Sequence, residues 1–177
     1  MSEPMYHPWG TVTPEFWSTP ARDSADAPKG LPPDAMRTRL MHIAQGAQDG
    51  RLQEAAALAA QLDQDVTDEY GDVHLHTVQV REVRGYLFAL MDDHATGLAW
   101  YLHAVQLRVT LQGPTHPDVD VATRRAYSMW KDLPPQSDRQ RLGTDVLTIA
   151  TDIHGADAPL VRHIREQLYQ RALTASA

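Results

Sequence analysis

Apolar residues recur at helical spacing along most of the chain from residue 34 onward. Segment 52–70 places a run of them on one stripe of a helix, and segment 95–111 repeats the pattern: Leu52, Ala55, Ala59, Leu62 and Val66, then Leu98, Tyr101, Leu102, Val105 and Val109. Strict alternation of apolar and polar residues is scarce, so the pattern does not predict strands. It predicts helices over 34–48, 52–70, 76–91, 95–111, 117–132, 138–152 and 159–173.

Breaks between these helices recur with a period of 42 residues. Gly71, Gly113 and Gly155 keep this spacing, and each is expected to end a helix with positive φ. Pro33, Pro117 and Pro159 share one phase and suit the first turn of a helix, where a missing N–H costs little. His74 and His116 are also 42 residues apart, which indicates a repeated loop residue that caps and packs.

Helices of one period must pack on those of the next to bury their apolar stripes. The predicted core is Leu62, Val66, Val83, Leu87, Leu98, Tyr101, Val105, Tyr127, Val146 and Ile149. Small residues should allow close helix approach at Ala55, Ala59, Gly85, Gly97 and Ala104.

These repeated segments resemble the tetratricopeptide repeat (TPR) family, in the long-repeat form seen in kinesin light chain and in many bacterial proteins. The likeness is carried by LRVTLQGPTHPDVDVATRRAYSMWKDL and by DGRLQEAAALAAQL, and it covers about residues 30–173. It implies an all-α fold: a right-handed α-α superhelix, or solenoid, of about 3.5 helical hairpins. The last repeat departs from the pattern, because Ala158 replaces the histidine and Gly143 lies inside a helix.

The resemblance also implies a concave groove lined by the first helix of each hairpin. Carried over by position, the partner-binding residues are Arg37, Gln79, Glu82, Tyr86, Arg124, Ser128, Lys131, His163 and Glu166. Family members that bind extended peptides commonly hold the ligand backbone with asparagines. This chain contains no asparagine, so the way its groove would hold a peptide stays open.

Residues 1–33 differ in composition from the repeats and form a separate N-terminal arm. The arm holds seven of the twelve prolines, which favour extended conformations. It is expected to be extended or partly disordered, yet its aromatic residues suit anchors on the repeats or on a partner: Tyr6, Trp9, Phe16 and Trp17. The expected organisation is the arm, a repeat domain over 34–173 and a short tail over 174–177.

Composition narrows the possible functions. The net charge of −7 argues against nucleic acid as the main partner. Absence of cysteine excludes disulfides and a thiol nucleophile. No apolar run has the length of a membrane helix and the N-terminus does not resemble a signal peptide, so we expect a cytoplasmic protein that does not bind membranes. Arginine far outnumbers lysine, which agrees weakly with a bacterial source.

Nothing in the chain matches a catalytic motif, and the histidines lack a recognisable metal-ligand spacing. We therefore expect no enzyme activity, no catalytic residues, no cofactor and no metal. The role that the resemblance implies is a protein-protein interaction module, an adaptor or regulatory subunit that binds a peptide segment or partner protein in the groove. The alternatives are a self-associating structural protein whose arm docks on the groove in cis or across a homodimer, and a small-molecule or peptide sensor.

Overall fold

Helices account for nearly all of the chain that the structure describes. A computed structural model describes residues 33–175, and none of these residues lies in a strand. The helices are α1 Pro33–Gln48, α2 Leu52–Tyr70, α3 Leu75–Leu90, α4 His94–Gln112, α5 Pro117–Lys131, α6 Arg139–His154 and α7 Pro159–Ala175. Each predicted helix is confirmed, with both ends within two residues of the expected positions. The fold is therefore all-α, and the handedness of the array stays a prediction.

Linkers between the helices preserve the 42-residue period. The linkers 71–74, 113–116 and 155–158 are equal in length, and each begins with a glycine at φ +84°. Only glycine adopts this conformation without cost, which explains the periodic glycines. The turn before α2 contains Gly50 at φ 79°, and the equivalent turn before α4 uses Asp92 at φ 64°. The linker before α6 is longer and contains Pro134 and Pro135.

Each helix packs on its neighbours in the chain, so the sequence order is also the packing order. The pairs α1–α2, α3–α4 and α5–α6 form three hairpins, called repeats 1, 2 and 3 below, and α7 opens a fourth. In addition, α4 of repeat 2 contacts α6 of repeat 3. This arrangement agrees with an all-α helical repeat fold of three and a half hairpins.

The interior consists of two apolar clusters. The N-terminal cluster joins α1, α2 and α3 and comprises Met36, Leu40, Ile43, Ala47, Ala55, Ala59, Leu62, Val66, Val80, Val83 and Leu87. The C-terminal cluster surrounds the fully buried Trp130 and includes Leu98, Tyr101, Tyr127, Leu142, Val146, Val161 and Ile164. The predicted core is confirmed apart from Ile149, which is only partly buried.

Two glycines let α3 and α4 touch backbone to backbone. A Cβ placed on Gly97 would lie 2.6 Å from the carbonyl oxygen of Gly85. A Cβ on Gly85 would lie 2.9 Å from the carbonyl oxygen of Gly97. Neither carbonyl can move without shifting its helix, so the predicted close approach at these residues is confirmed.

Gly143 has a related packing role in α6. A Cβ at this position would lie 2.6 Å from ring carbons of Trp130 and 2.6 Å from a methyl group of Leu168. Trp130 also donates a hydrogen bond from Nε1 to the carbonyl oxygen of Arg139, at 2.8 Å. The glycine at position 143 therefore has a physical cause, because a bulky indole occupies the space that a side chain would need.

Candidate partner-binding face

One row of repeat positions faces solvent on the first helix of every hairpin. Arg37, Gln79, Val121 and His163 follow each other at intervals of 42 residues on α1, α3, α5 and α7. Gln79 is partly exposed and the other three are exposed, including 45% of the apolar Val121. At the positions where the resemblance places the groove, the side chains of the first helices are therefore at least partly open to solvent.

Two more predicted residues on α5 share this exposed side with Val121, and a third is half-buried. Arg124 and Lys131 are exposed, and Ser128 lies between them on the helix. The Arg124 guanidinium pairs with Asp120 one turn earlier, with 2.9 Å between Nε and Oδ2. Exposed pairs of this kind contribute little free energy, so Arg124 can exchange its partner for a ligand carboxylate at small cost.

Tyr127 connects α5 with α7 beneath the exposed side chains. Its ring is 3% exposed, and burial raises the pKa of its hydroxyl. The Lys131 ammonium lies 5.6 Å from the ring centroid, and His163 meets the same ring edge-on with centroids 5.8 Å apart. The structure therefore brings Lys131 and His163 together around one buried ring. We call Arg124, Ser128, Lys131 and His163 the basic face.

Charge is distributed unevenly among the helices around this face. Helix α5 carries three basic and two acidic side chains, and α7 carries three basic and one acidic. Helix α2 carries five acidic and no basic side chains. Residues 117–175 as a whole carry eight basic and eight acidic side chains, so the positive excess is confined to helices α5 and α7 themselves. Glu166 is exposed on α7, one turn after His163.

Glu82 and Tyr86 correct the predicted groove, because both are buried. Glu82 is 2% exposed and Tyr86 is 6% exposed. The Glu82 carboxylate faces α4, where Arg108 donates from Nε at 2.7 Å and from Nη2 at 2.9 Å. This two-bond pairing satisfies both charges inside the protein and removes Glu82 from the set of exposed ligand contacts.

The prediction missed a second polar cluster, which joins α2, α3 and α4. Asp63 is 5% exposed and accepts from Arg81 and Arg84. Arg81 also donates to Asp72, and this bond lowers the pKa of the Asp72 carboxyl. A sequence signal existed, since Arg39 and Arg81 are 42 residues apart and each pairs with an aspartate of α2.

His103 completes this polar cluster from α4. Its Nε2 atom lies 2.9 Å from Nη1 of Arg81. A guanidinium has only donors, so this contact requires a neutral imidazole with a free lone pair on Nε2. Partial burial of the ring, followed by the Arg81 charge, lowers the pKa of His103 and favours that neutral form.

The repeated loop histidines act as helix caps. His74 precedes α3 and accepts from the backbone N–H of His76 at 3.1 Å, while His116 precedes α5 and accepts from Asp118 at 3.2 Å. The His74 ring also stacks on Tyr70 with centroids 4.4 Å apart. The predicted capping role is confirmed for both histidines, and the predicted packing is confirmed for His74. Within residues 33–175, no three histidine or carboxylate side chains are grouped so that they could hold a metal ion.

Several predictions concern residues that the structure does not describe. The proposed anchors Tyr6, Trp9, Phe16 and Trp17, and the tail beyond residue 175, lie outside the described residues. In the described range, no helix combines the length and apolar character needed to cross a membrane. No protein-family model matches the chain, and no curated protein matches it.

Proposed function

We propose that the protein is a non-enzymatic interaction module of the tetratricopeptide type, an adaptor or regulatory subunit whose first helices bind a partner protein or peptide. The observation that carries the proposal is the convergence of Lys131 and His163 on the Tyr127 ring. The His163–Tyr127 contact joins α5 to α7, two helices at equivalent places in successive repeats, and an extended ligand that crosses the repeats would meet both. The equal linkers and positive-φ glycines support the assignment to this type.

The chemistry of the face favours a ligand with carboxylates and apolar side chains. Arg124 and Lys131 can pair with carboxylates, and the exposed Val121 offers an apolar contact between successive turns of α5. A backbone clamp of asparagines is absent from the chain, so side-chain contacts must supply most of the specificity. The ligand class we propose is therefore an acidic segment with apolar or aromatic anchors.

Site-specific photo-crosslinking in cells of the source organism tests this proposal. A photoreactive residue at Val121 should capture a defined partner, whereas one at Leu58 on acidic α2, 43% exposed, should not. Arg124→Glu with Lys131→Glu should reduce capture at Val121 about tenfold, equivalent to about 1.4 kcal/mol of binding free energy. Arg141 is an exposed residue of α6, and Arg141→Glu is the matched control that should leave capture unchanged. Equal capture at the two positions would contradict the proposal.

Self-association through α7 is a second candidate, favoured by one observation. Tyr169 is 67% exposed, although the equivalent positions Ile43, Gly85 and Tyr127 are buried in the three preceding hairpins. Leu173 is also exposed, one turn later, while Leu168 is buried. An apolar pair in this position can pack against a second chain.

Sedimentation velocity distinguishes this candidate from the interaction module. Self-association through α7 predicts a dimer that Tyr169→Lys with Leu173→Glu converts to monomer. A chain that is monomeric at all accessible concentrations would exclude it and leave the interaction module standing.

A further inference from the structure

We propose that the N-terminal arm is an intramolecular ligand of the basic face, held there until a partner displaces it. This inference rests on the proposed function, because it supplies a regulator for the same surface. The occupant we commit to is residues 1–32 of the same chain, the arm without Pro33, which begins α1. A partner protein or a second copy would replace it only by competition. Three properties support the pairing: charge, side-chain chemistry and reach.

Charge complementarity is the first argument. Residues 1–32 contain four acidic and two basic side chains, and the part that holds the four aromatic residues, 1–21, contains two glutamates, Glu3 and Glu15, but no lysine or arginine. Helices α5 and α7 have a basic excess, while α2 has five acidic side chains and no basic ones. Coulomb attraction therefore favours the arm at α7, whose excess of two basic side chains is the largest of the described helices, and disfavours it on α2.

Side-chain chemistry is the second argument. The same stretch carries Tyr6, Trp9, Phe16 and Trp17, which are too many aromatic residues for an inert linker. Arginine and lysine bind aromatic rings through cation–π contacts, and exposed aliphatic groups bind them by apolar contact. The basic face offers exposed cations at Arg124 and Lys131. Val121, one turn before Arg124 and 45% exposed, offers the aliphatic contact.

Reach is the third argument. The arm joins the repeats at Pro33, where α1 begins. A proline-rich extended chain rises about 3.1 Å per residue, so 32 residues span up to about 100 Å. Packed helix axes lie about 8–10 Å apart, so the six steps from α1 to α7 cover at most about 60 Å. The arm is long enough to cross the array, and its prolines lower the entropy lost on docking.

Disulfide trapping in the full-length chain tests the contact, because the chain has no cysteine of its own. Ser18→Cys beside Trp17 is combined with Val121→Cys on α5 or, as matched control, with Leu58→Cys on α2. Docking in cis predicts an intramolecular disulfide that forms roughly tenfold faster with Val121 than with Leu58, because binding raises the effective concentration. The rate should not depend on protein concentration.

Charge reversal makes the test specific for the basic face. In the Ser18–Val121 cysteine pair, Arg124→Glu with Lys131→Glu should slow trapping about tenfold, and Glu3→Arg with Glu15→Arg should restore it. Arg141→Glu should leave the rate unchanged. Equal trapping at Val121 and Leu58, or a rate indifferent to the charge reversal, overturns the inference. Trapping that rises with protein concentration also overturns it, because the arm would then bind a second copy.

The outcome separates this inference from the proposed function. Loss of selective trapping while photo-crosslinking at Val121 still captures a partner overturns the arm contact and leaves partner binding standing. Selective trapping with equal capture at Val121 and Leu58 supports the arm contact and overturns the partner site. When selective trapping and selective capture are both observed, replacement of Glu3 and Glu15 by glutamine should increase partner capture, because the arm then competes less strongly for the basic face.

Discussion

The first and second repeats place different chemistry at the same two buried positions. In repeat 1, Leu40 of α1 and Val66 of α2 belong to the same apolar cluster and are 3% and 0% exposed, respectively. Glu82 and Arg108 lie 42 residues after these two and form a buried ion pair instead. At these two positions the repeat framework thus holds an apolar pair in repeat 1 and an ion pair in repeat 2.

The difference also explains why groove prediction by position fails in repeat 2. Position-by-position transfer assumes that equivalent residues keep equivalent surroundings. Leu40 and Glu82 are buried, whereas Arg124 and Glu166 at the same repeat position are exposed. Glu82, a charged residue of α3, therefore contributes to the interior rather than to a ligand-binding surface.

The largest expected effect comes from breaking the ion pair on one side. Arg108→Met leaves the Glu82 carboxylate buried without its cation and should lower the free energy of unfolding by about 3–5 kcal/mol. Glu82→Leu should cost less, because Arg108 keeps Asp118 at 3.6 Å and Gln112 at 3.2 Å. Urea unfolding followed by circular dichroism measures both variants.

The double variant decides whether repeat 1 chemistry can replace repeat 2 chemistry. Glu82→Leu with Arg108→Met removes both charges while keeping most of the volume, and it should recover at least the greater part of the loss. Methionine is preferred to the valine of repeat 1, because valine would leave a cavity. Additive losses in the double variant would show that the two side chains do not act as a pair.

A second expected effect tests the close approach of α3 and α4. Gly97→Ala puts a methyl group 2.6 Å from the Gly85 carbonyl and should cost about 1–3 kcal/mol through overpacking. The equivalent residue in repeat 1 is Ala55, so the methyl group itself is compatible with the fold. The measurement is again the midpoint of urea unfolding.

Gly46→Ala in α1 is the matched control for that substitution. A Cβ at Gly46 would lie 3.7 Å from Cβ of Ala55, an ordinary contact. Alanine has the higher helix propensity, so this variant should be more stable by about 0.5–1 kcal/mol. If both alanine variants are equally stable, the tight α3–α4 contact does not limit packing.

Helix positions and most of the core could be predicted from this sequence, because they depend on local periodicity. The glycines with positive φ and the histidine caps recur with the period, so each copy reinforces the others. Side-chain exposure on the first helices could be predicted only in part. Burial of Glu82 and Tyr86 depends on partners such as Arg108, which lies 26 residues further along the chain.

Most of the cluster around Asp63 could not be predicted, for the same reason. Apolar periodicity on α2 suggests where the interior lies, yet it does not indicate that a carboxylate enters it. Asp63 is buried because Arg81 and Arg84 approach it from the next repeat. Pairings of this kind depend on three-dimensional geometry and lack a sequence motif, apart from the arginine recurrence at residues 39 and 81.

A third expected effect concerns the turns of repeats 1 and 2. Asp92 has φ 64° where repeat 1 has Gly50 at φ 79°, and its side chain is 98% exposed. Left-handed conformations cost non-glycine residues about 1–2 kcal/mol, somewhat less for aspartate. Asp92→Gly should therefore raise the free energy of unfolding by about 0.5–1 kcal/mol, and Gly50→Asp should lower it similarly. Thermal unfolding in which neither variant differs from wild type would contradict this.

The smallest expected effect concerns the cap that repeat 2 has at His74. Its Nδ1 atom accepts a hydrogen bond, which requires the neutral imidazole. Partial burial, followed by neighbouring His76, lowers the pKa of His74 below its ordinary 6.5. The unfolded chain then binds this proton more readily than the folded chain, so stability rises with pH in this interval. The cap contributes fully above about pH 6.5 and is lost as pH falls through the lower, folded pKa.

Replacement of His74 by asparagine tests this pH dependence, because asparagine caps a helix without titrating. The decrease in unfolding free energy between about pH 7.5 and pH 5.5 should be smaller in His74→Asn than in wild type. His42→Asn, exposed on α1 and not a cap, should retain the full decrease. Identical pH profiles for wild type and His74→Asn would mean that the His74 cap does not titrate with folding. The linker 155–158 has Ala158 in place of the histidine, so it has no capping side chain to protonate. Protonation of a cap should therefore not destabilise α7 at acid pH.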